Sequence, residues 1–278
     1  MYPSKLDFEK RTVYYRESDC FTAAPQHLVH AYPHLNYKIK MHAHQFCEIN
    51  VITGGEGRHY IGDASLPARV GDVFIIPPET PHGYYSEGQL DIAHILLRDT
   101  FLSRYREELS QLPAFSLLFD IEPQVRRSSG RNYNLCISPH KLLEISEQIA
   151  RIVRAEQAEE YAYANILTLG FIGRLGELLR KEMQKEASDH AEILHVMEFV
   201  QENLEQKLTL SLLAEKANMS TATLSRYFRE VLRTSPMQYV TACRLARARE
   251  LIAEGRLSKT EIAQVCGFFD ISHLNKYL

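Results

Sequence analysis

One short unit occurs twice near the C-terminus of this 278-residue sequence, and nothing else in the chain restricts its fold as tightly. Leu213-Ala214, followed by Asn218-Met219, returns as Ile262-Ala263 and Gly267-Phe268 at a constant offset of 49; after one extra residue Leu224 returns as Leu274 at an offset of 50. In the first copy Thr209 is a candidate N-cap for a helix over Leu210–Ala217. Asn218 then stands where a tight helix-to-helix turn needs a left-handed residue, a conformation Asn tolerates better than most. Ser220 caps the next helix, with Leu224 and Phe228 facing inward and Thr221, Ala222, Ser225, Arg226 and Arg229 facing outward. The second copy opens on Ser258-Lys259-Thr260-Glu261, a capping-box pattern, and turns at Gly267, where a left-handed backbone costs least. Between them Ser235-Pro236 starts a helix that runs to Ala253 and carries Arg244, Arg247 and Arg249. Two helix-turn-helix units on one rigid helix suit successive segments of a major groove, roughly 34 Å apart.

Charge follows the same division. The chain carries a net charge of −3, yet from Lys216 to Lys259 there are nine Lys/Arg against three Glu, while residues 1–189 hold 21 basic and 25 acidic residues. A basic segment on an acidic body points to a local polyanion site. The five cysteines are scattered and odd in number, with no C-x-x-C pair, which excludes a disulfide framework or a thiolate zinc site and fits a reducing cytoplasm. No apolar stretch approaches the ~20 residues needed to cross a bilayer, and the N-terminus lacks a signal core, so a cytoplasmic protein without membrane contact is expected.

The first hundred or so residues are β-rich. Phe46–Ile52 reads as a strand that ends at Gly54-Gly55, Gly57–Ile61 as one that ends at Gly62-Asp63, and Asp72–Ile76 as one that stops at Pro77-Pro78. Short strands punctuated by Gly, Asp and Pro indicate a sandwich or small barrel. From Pro139 the period becomes helical, through Leu142, Ile145, Ile149, Ile152 and Val153, and a second helix spans Tyr161–Glu186. The expected architecture is α+β in two domains: a β-barrel with helices over 1–138, a helical linking segment over 139–187, and an all-α double helix-turn-helix over 188–278. The stripe Leu142, Ile145, Ile149 and Ile152 either meets its copy in a second subunit, giving a homodimer, or packs on the barrel.

Histidines form a second constellation. In His42-Ala43-His44-Gln45-Phe46-Cys47-Glu48, strand alternation puts His42, His44 and Glu48 on one face, with Asn50 and Ile52 beyond them and Cys47 turned away. If a later strand brings His82 alongside, three imidazoles and a carboxylate converge, a set that suits a first-row divalent metal with positions left open. Arg58 and Tyr60 are placed to line or rim the same pocket.

The C-terminal residues Leu212-Leu213-Ala214, Met219-Ser220, Leu224–Arg229, Ser235–Tyr239, Arg244-Leu245, Ala248, Glu261-Ile262-Ala263, Gly267-Phe268 and Asp270 resemble the AraC/XylS transcription regulators over about 85 residues. That resemblance implies base reading by Ala222, Ser225 and Arg226 in the first unit, and by Ile271, Ser272, His273, Asn275 and Lys276 in the second. Arg226 is the leading base contact, because a guanidinium pairs bidentately with guanine. Arg229 is assigned to phosphate and Arg244 to structure. The family's pattern continues beyond the second reading helix with a basic, aromatic stretch and a final helix; this chain stops at Leu278, so a clipped sequence or an incomplete second unit, with weaker DNA binding, is expected. The N-terminal pattern H-x-H-x3-E-x6-G and G-x5-P-x4-H resembles the two cupin motifs, although Glu79 and Asn36 stand where cupins often have Gly. Together the halves are similar to the cupin-sensor subgroup, with a local likeness to its rhamnose-type branch.

The resemblance implies a ligand-responsive, sequence-specific regulator of carbohydrate genes that binds operator DNA and a sugar-like effector, with RNA polymerase as a further partner and the choice between activator and repressor left open. No cofactor is required of such a sensor, and a divalent ion in the cupin pocket stays open: the histidines hold a metal, or contact a sugar directly, or serve structure alone. Two rivals stand beside this reading, a metal-dependent cupin enzyme fused to a DNA-binding tail and a helical scaffold that binds no DNA.

Overall fold

The computed structural model describes residues 13–37, 39–61, 64–112, 114, 115, 117–121, 123, 135–186, 191–231 and 234–278. The chain divides into two compact units, one of residues 1–115 and 134–179, the other of residues 116–133 and 180–278. Among the described residues no helix is long and apolar enough to cross a membrane.

Among the described residues the first unit is built on nine strands: β1 (Val13–Tyr15), β2 (Val29–His34), β3 (Ile39–His44), β4 (Cys47–Ile61), β5 (Ala64–Arg69), β6 (Asp72–Ile76), β7 (His82–Tyr85), β8 (Leu90–Leu97) and β9 (Leu135–Cys136). The 15-residue β4 belongs to two layers. Its first half pairs antiparallel with β8 and β6, and β2 and β9 extend that layer. Its second half pairs with β5 and β7, and β3 and β1 follow.

The sequence reading ended a strand at Gly54-Gly55; the strand instead runs through them. The register with β8 slips between Ile52 and Gly54, and Gly55 takes φ +72, so the pair is a bulge that bends β4 from one layer into the other. A Cβ on Gly55 would lie 1.9 Å from the Gln89 carbonyl oxygen, which is why the position needs glycine. Between the layers lies an apolar core of Ile52, Ile61, Leu66, Phe74, Ile76, Tyr84, Leu90 and Ile92.

Short helices α1 (Glu17–Cys20), α2 (Asp99–Arg104) and α3 (Arg106–Ser110) decorate the strands. Two long ones follow, α4 (Pro139–Gln157) and α5 (Tyr161–Glu186), with Pro139 in the first turn of α4. Ile145, Ile149 and Ile152 of α4 are buried, and α4 packs on β2. The apolar stripe is therefore used within the unit, and the apolar side chains left exposed on the two helices include Leu143, Tyr163 and Ile166.

The second unit is helical: α6 (Ala191–Glu202), α7 (Leu210–Lys216), α8 (Thr221–Val231), α9 (Pro236–Glu254), α10 (Lys259–Val265) and α11 (Ile271–Asn275). A π-helical turn at Leu117–Ile121 packs on α9. The local signals act as read. The Thr209 hydroxyl accepts from the Leu212 amide, Ser235 and Ser258 close capping boxes with Gln238 and Glu261, and Asn218 and Gly267 take φ +51 and +74. The doubled unit is thus α7–α8 and α10–α11, each with its own buried apolar face.

Candidate effector pocket and nucleic-acid interface

Three imidazoles in the first unit are oriented the same way by the backbone. His42 Nδ1–H donates to the Lys40 carbonyl (3.1 Å), His44 Nδ1–H to Phe46 (2.7 Å) and His82 Nδ1–H to Thr80 (3.0 Å). A neutral imidazole carries one N–H, so each ring presents the lone pair of Nε2 on its other side. Those lone pairs converge on Glu48. His82 Nε2 is 2.9 Å and His44 Nε2 3.2 Å from Glu48 Oε2, and His42, Glu48 and His82 offer one donor atom each, all within 4.8 Å of one another. Burial, with His82 beside it, pushes the His42 pKa down to about 3; burial also lowers that of His82, against the pull of Glu48. Lone pairs facing an anion at these distances call for a cation between them. Rings fixed by Nδ1–H···O=C bonds with Nε2 inward are the arrangement found in metal-ligating histidines. The residues present therefore fit a first-row divalent ion on His42, Glu48 and His82, with His44 Nε2 beside the same carboxylate oxygen as a fourth donor that must move closer to join them.

The set is assembled from three strands, where the sequence reading placed His42, His44 and Glu48 on one. β3 ends at His44, the chain turns at Gln45-Phe46, and Glu48 enters from β4. Sequence reasoning also missed His94 on β8, whose Nδ1–H donates to Glu48 Oε1 at 2.8 Å and so orients the carboxylate. A lone polar residue inside the apolar run Ile92–Leu97 was the available signal.

Beside this set opens a cavity of about 280 Å³ lined by Tyr15, Cys20, Tyr32, His34, Tyr37 and Ile39 together with His42, His44, Phe46, Glu48 and Leu96. Burial raises the pKa of Tyr32 and Tyr37 and pushes the Cys20 thiol up to about 11, so all three stay protonated; burial lowers that of His34. Tyr32 and His34 alternate along β2, a period-two signal that was legible but went unread.

Three expected pocket residues stand elsewhere. Asn50 is fully buried beside the pocket and donates to the Tyr84 hydroxyl at 3.1 Å. Arg58 donates from Nε to Ser65 Oγ (2.8 Å) and from Nη2 to the Ser65 carbonyl (2.7 Å), and Tyr60 packs on Met41. The bulge explains both displacements. Before it Ile52, an even position, faces the core; after it Ile61, an odd position, does so. One extra residue reverses which face of a strand is buried.

A second trio, His27, His30 and Glu156, also clusters. Here the Thr22 amide donates to His27 Nδ1 at 2.9 Å, so Nε2 carries the proton and donates to Glu156 Oε1 at 3.0 Å. With that proton in place the trio lacks a lone pair on His27 for a metal; it ties α4 to β2, where the Ala31 amide donates to Glu156 Oε2 at 2.8 Å.

In the second unit α8 buries Leu224 and Phe228 and exposes Ala222, Arg226 and Arg229; Ser225 is half-buried, with its hydroxyl donating to the Thr221 carbonyl. The Arg226 guanidinium lies 4.6 Å above the Tyr227 ring and 3.6 Å from Glu230, an exposed ion pair of little energetic weight. On α11 and just beyond it Ser272, Asn275 and Lys276 are exposed and Ile271 is half-buried. His273 is also half-buried, edge-on to Phe268 and Tyr277. Arg244 is structural: it donates to the Leu204 and Gln206 carbonyls at 3.0 and 2.7 Å.

Comparison with known proteins matches residues 6–164 to the AraC-like ligand binding domain and residues 213–278 to a helix-turn-helix domain. The chain is 23% identical over 238 residues to the HTH-type transcriptional activator RhaS of Escherichia fergusonii, covering 84% of this chain and 81% of that protein. It is 22% identical over 244 residues to the HTH-type transcriptional activator RhaR of Mannheimia succiniciproducens, covering 87% and 83%. Among solved structures, ToxT from Vibrio cholerae O395 aligns over 90% of this chain and 92% of its own with 11% identity and a TM-score of 0.37.

Proposed function

The chain belongs to the AraC family of transcription regulators, and from that premise we propose that it activates genes of carbohydrate uptake or catabolism when a small effector fills the pocket. Residues 1–138 hold the effector, 139–187 carry the response, and 188–278 bind operator DNA and contact RNA polymerase. The observation that carries this reading is the presence in one chain of a pocket lined by tyrosines, histidines and Glu48 and of two helix-turn-helix units with exposed polar faces. The pocket is small, at the lower edge of the roughly 300–1,000 Å³ of ligand sites, which suits a monosaccharide-sized molecule. His42, His44, Glu48 and His82 hold a divalent ion there, and the ion supplies a positive centre for effector oxygens. The chain is read as a sensor and not a catalyst; its effector shifts the balance between two arrangements that differ in affinity for DNA.

Base reading is assigned to Ala222, Ser225 and Arg226 in the first unit and to Ile271, Ser272, His273, Asn275 and Lys276 in the second, with Arg229 on phosphate. A homodimer accompanies paired half-sites; because the α4 stripe is buried within its own unit, Leu143, Tyr163 and Ile166 are the apolar groups it would use. The test is DNA binding across a salt series with Arg226→Ala alongside. The expected result is a steep loss of affinity with salt and, in the variant, a loss of about 1–3 kcal/mol on the operator alone. A flat salt response, or unchanged discrimination in the variant, contradicts the assignment.

A further inference from the structure

The pocket has an imbalance of charge that constrains its effector. Among the described residues lining it, Glu48 is the one with a full charge; the rest are tyrosines, histidines, a thiol and the apolar Ile39, Phe46 and Leu96. A divalent ion on neutral imidazoles and one carboxylate leaves one positive charge in this pocket, and among the described lining residues no second carboxylate neutralises it. An unbalanced charge among apolar walls is costly, and an anion that enters with the ligand removes the cost. The hydrogen-bonding lining points the same way. Tyr15, Tyr32 and Tyr37 bring hydroxyl donors, whereas the carboxylates that commonly accept from the hydroxyls of a neutral sugar are missing apart from Glu48, which the histidines engage.

We infer that the effector is a small hydroxy acid, such as an aldonate or uronate, whose carboxylate and neighbouring hydroxyl take the open positions of the ion held by His42, His44, Glu48 and His82. The inference rests on the metal-bearing pocket proposed above. It makes the ion and the ligand mutually dependent: the ion provides the charge that the acid answers, and the tyrosine hydroxyls donate to the oxygens left over.

The experiment uses the full chain loaded with Mn²⁺, with metal content measured by elemental analysis. Binding is followed by calorimetry and by the electron spin resonance spectrum of the ion. The probes are four acids, each with a neutral partner: glycolate with ethylene glycol, lactate with propane-1,2-diol, gluconate with glucose, and galacturonate with its methyl ester. The expected result is that at least one acid binds roughly tenfold or more tighter than its partner, alters the Mn²⁺ spectrum, and loses that advantage when the ion is stripped. Uptake of Mn²⁺ with all four acids silent, or with neutral partners binding as tightly, overturns the hydroxy-acid inference and leaves the metal pocket standing. Failure to take up Mn²⁺, Zn²⁺ or Ni²⁺ removes the metal reading and the inference with it. DNA binding measured on the same samples reports on the regulator reading separately.

Discussion

His82 Nε2 faces Glu48 Oε2 across 2.9 Å with no proton of its own to place between them, because the Thr80 carbonyl takes the ring's proton at Nδ1. Two electron-rich atoms at that distance are held by the fold and would be stabilised by a cation. Adding Mn²⁺ or Zn²⁺ is therefore expected to raise the melting midpoint by mass action, by about 2.7 kcal/mol of stability at a hundredfold excess over the dissociation constant. Glu48→Gln is expected to remove most of that gain. Equal midpoints with metal and with chelator in the unaltered chain would contradict it.

Acid is expected to loosen the attachment of α4 to β2. Burial alone would raise the Glu156 pKa, but His30, the Ala31 amide and His27 more than offset it and hold it below the usual range; burial lowers that of His27. A carboxylate with a depressed folded pKa contributes stability that is present above its unfolded value near 4.3 and lost as pH falls through the folded one. A histidine with a depressed folded pKa adds a loss in the same direction, beginning as pH drops below about 6.5. Denaturant midpoints across pH 7 to 4 should fall, and Glu156→Gln should cost about 1–3 kcal/mol at pH 7 and flatten the acid limb below pH 5. An acid limb as steep in the variant as in the parent would count against this role.

Gly267→Ala is expected to unfold the second helix-turn-helix unit. The residue has φ +74, and an added Cβ would lie 2.1 Å from the Leu204 carbonyl oxygen and 2.8 Å from the Arg244 guanidinium. Positive φ and a backbone clash together should cost roughly 3 kcal/mol, with DNA affinity lost and metal binding by the first unit retained. Calorimetry that shows an unshifted melting transition would refute the packing argument.

Arg226 and Arg229 share the exposed face of α8 and should separate in their salt behaviour. A phosphate contact carries no sequence information, so Arg229→Ala is expected to weaken binding to operator and random DNA alike and to reduce the slope of log affinity against log salt by about one. A loss confined to the operator would exchange the roles of the two arginines.

Most of the second unit was legible because its determinants lie close together in the chain. Caps such as Ser258 with Glu261, the left-handed turns at Asn218 and Gly267, and the spacing of Leu224 and Phe228 are interactions across four residues or fewer, and the sequence states them directly. The identities of His42, His44, Glu48 and His82 were legible too, because few roles ask for three histidines and a carboxylate among short strands. What only the tertiary structure decided is which faces meet. The bulge at Gly54-Gly55 shifts the core-facing positions of β4 from even, at Ile52, to odd, at Ile61, and takes Arg58 and Tyr60 out of the pocket, a consequence of hydrogen bonds to β8 rather than of any local preference. The lining of Tyr32, His34 and Tyr37, and the bond from His94 to a carboxylate 46 positions away, depend on strand register across the barrel. Register is set by the packing of every strand at once, and no short window of sequence contains it.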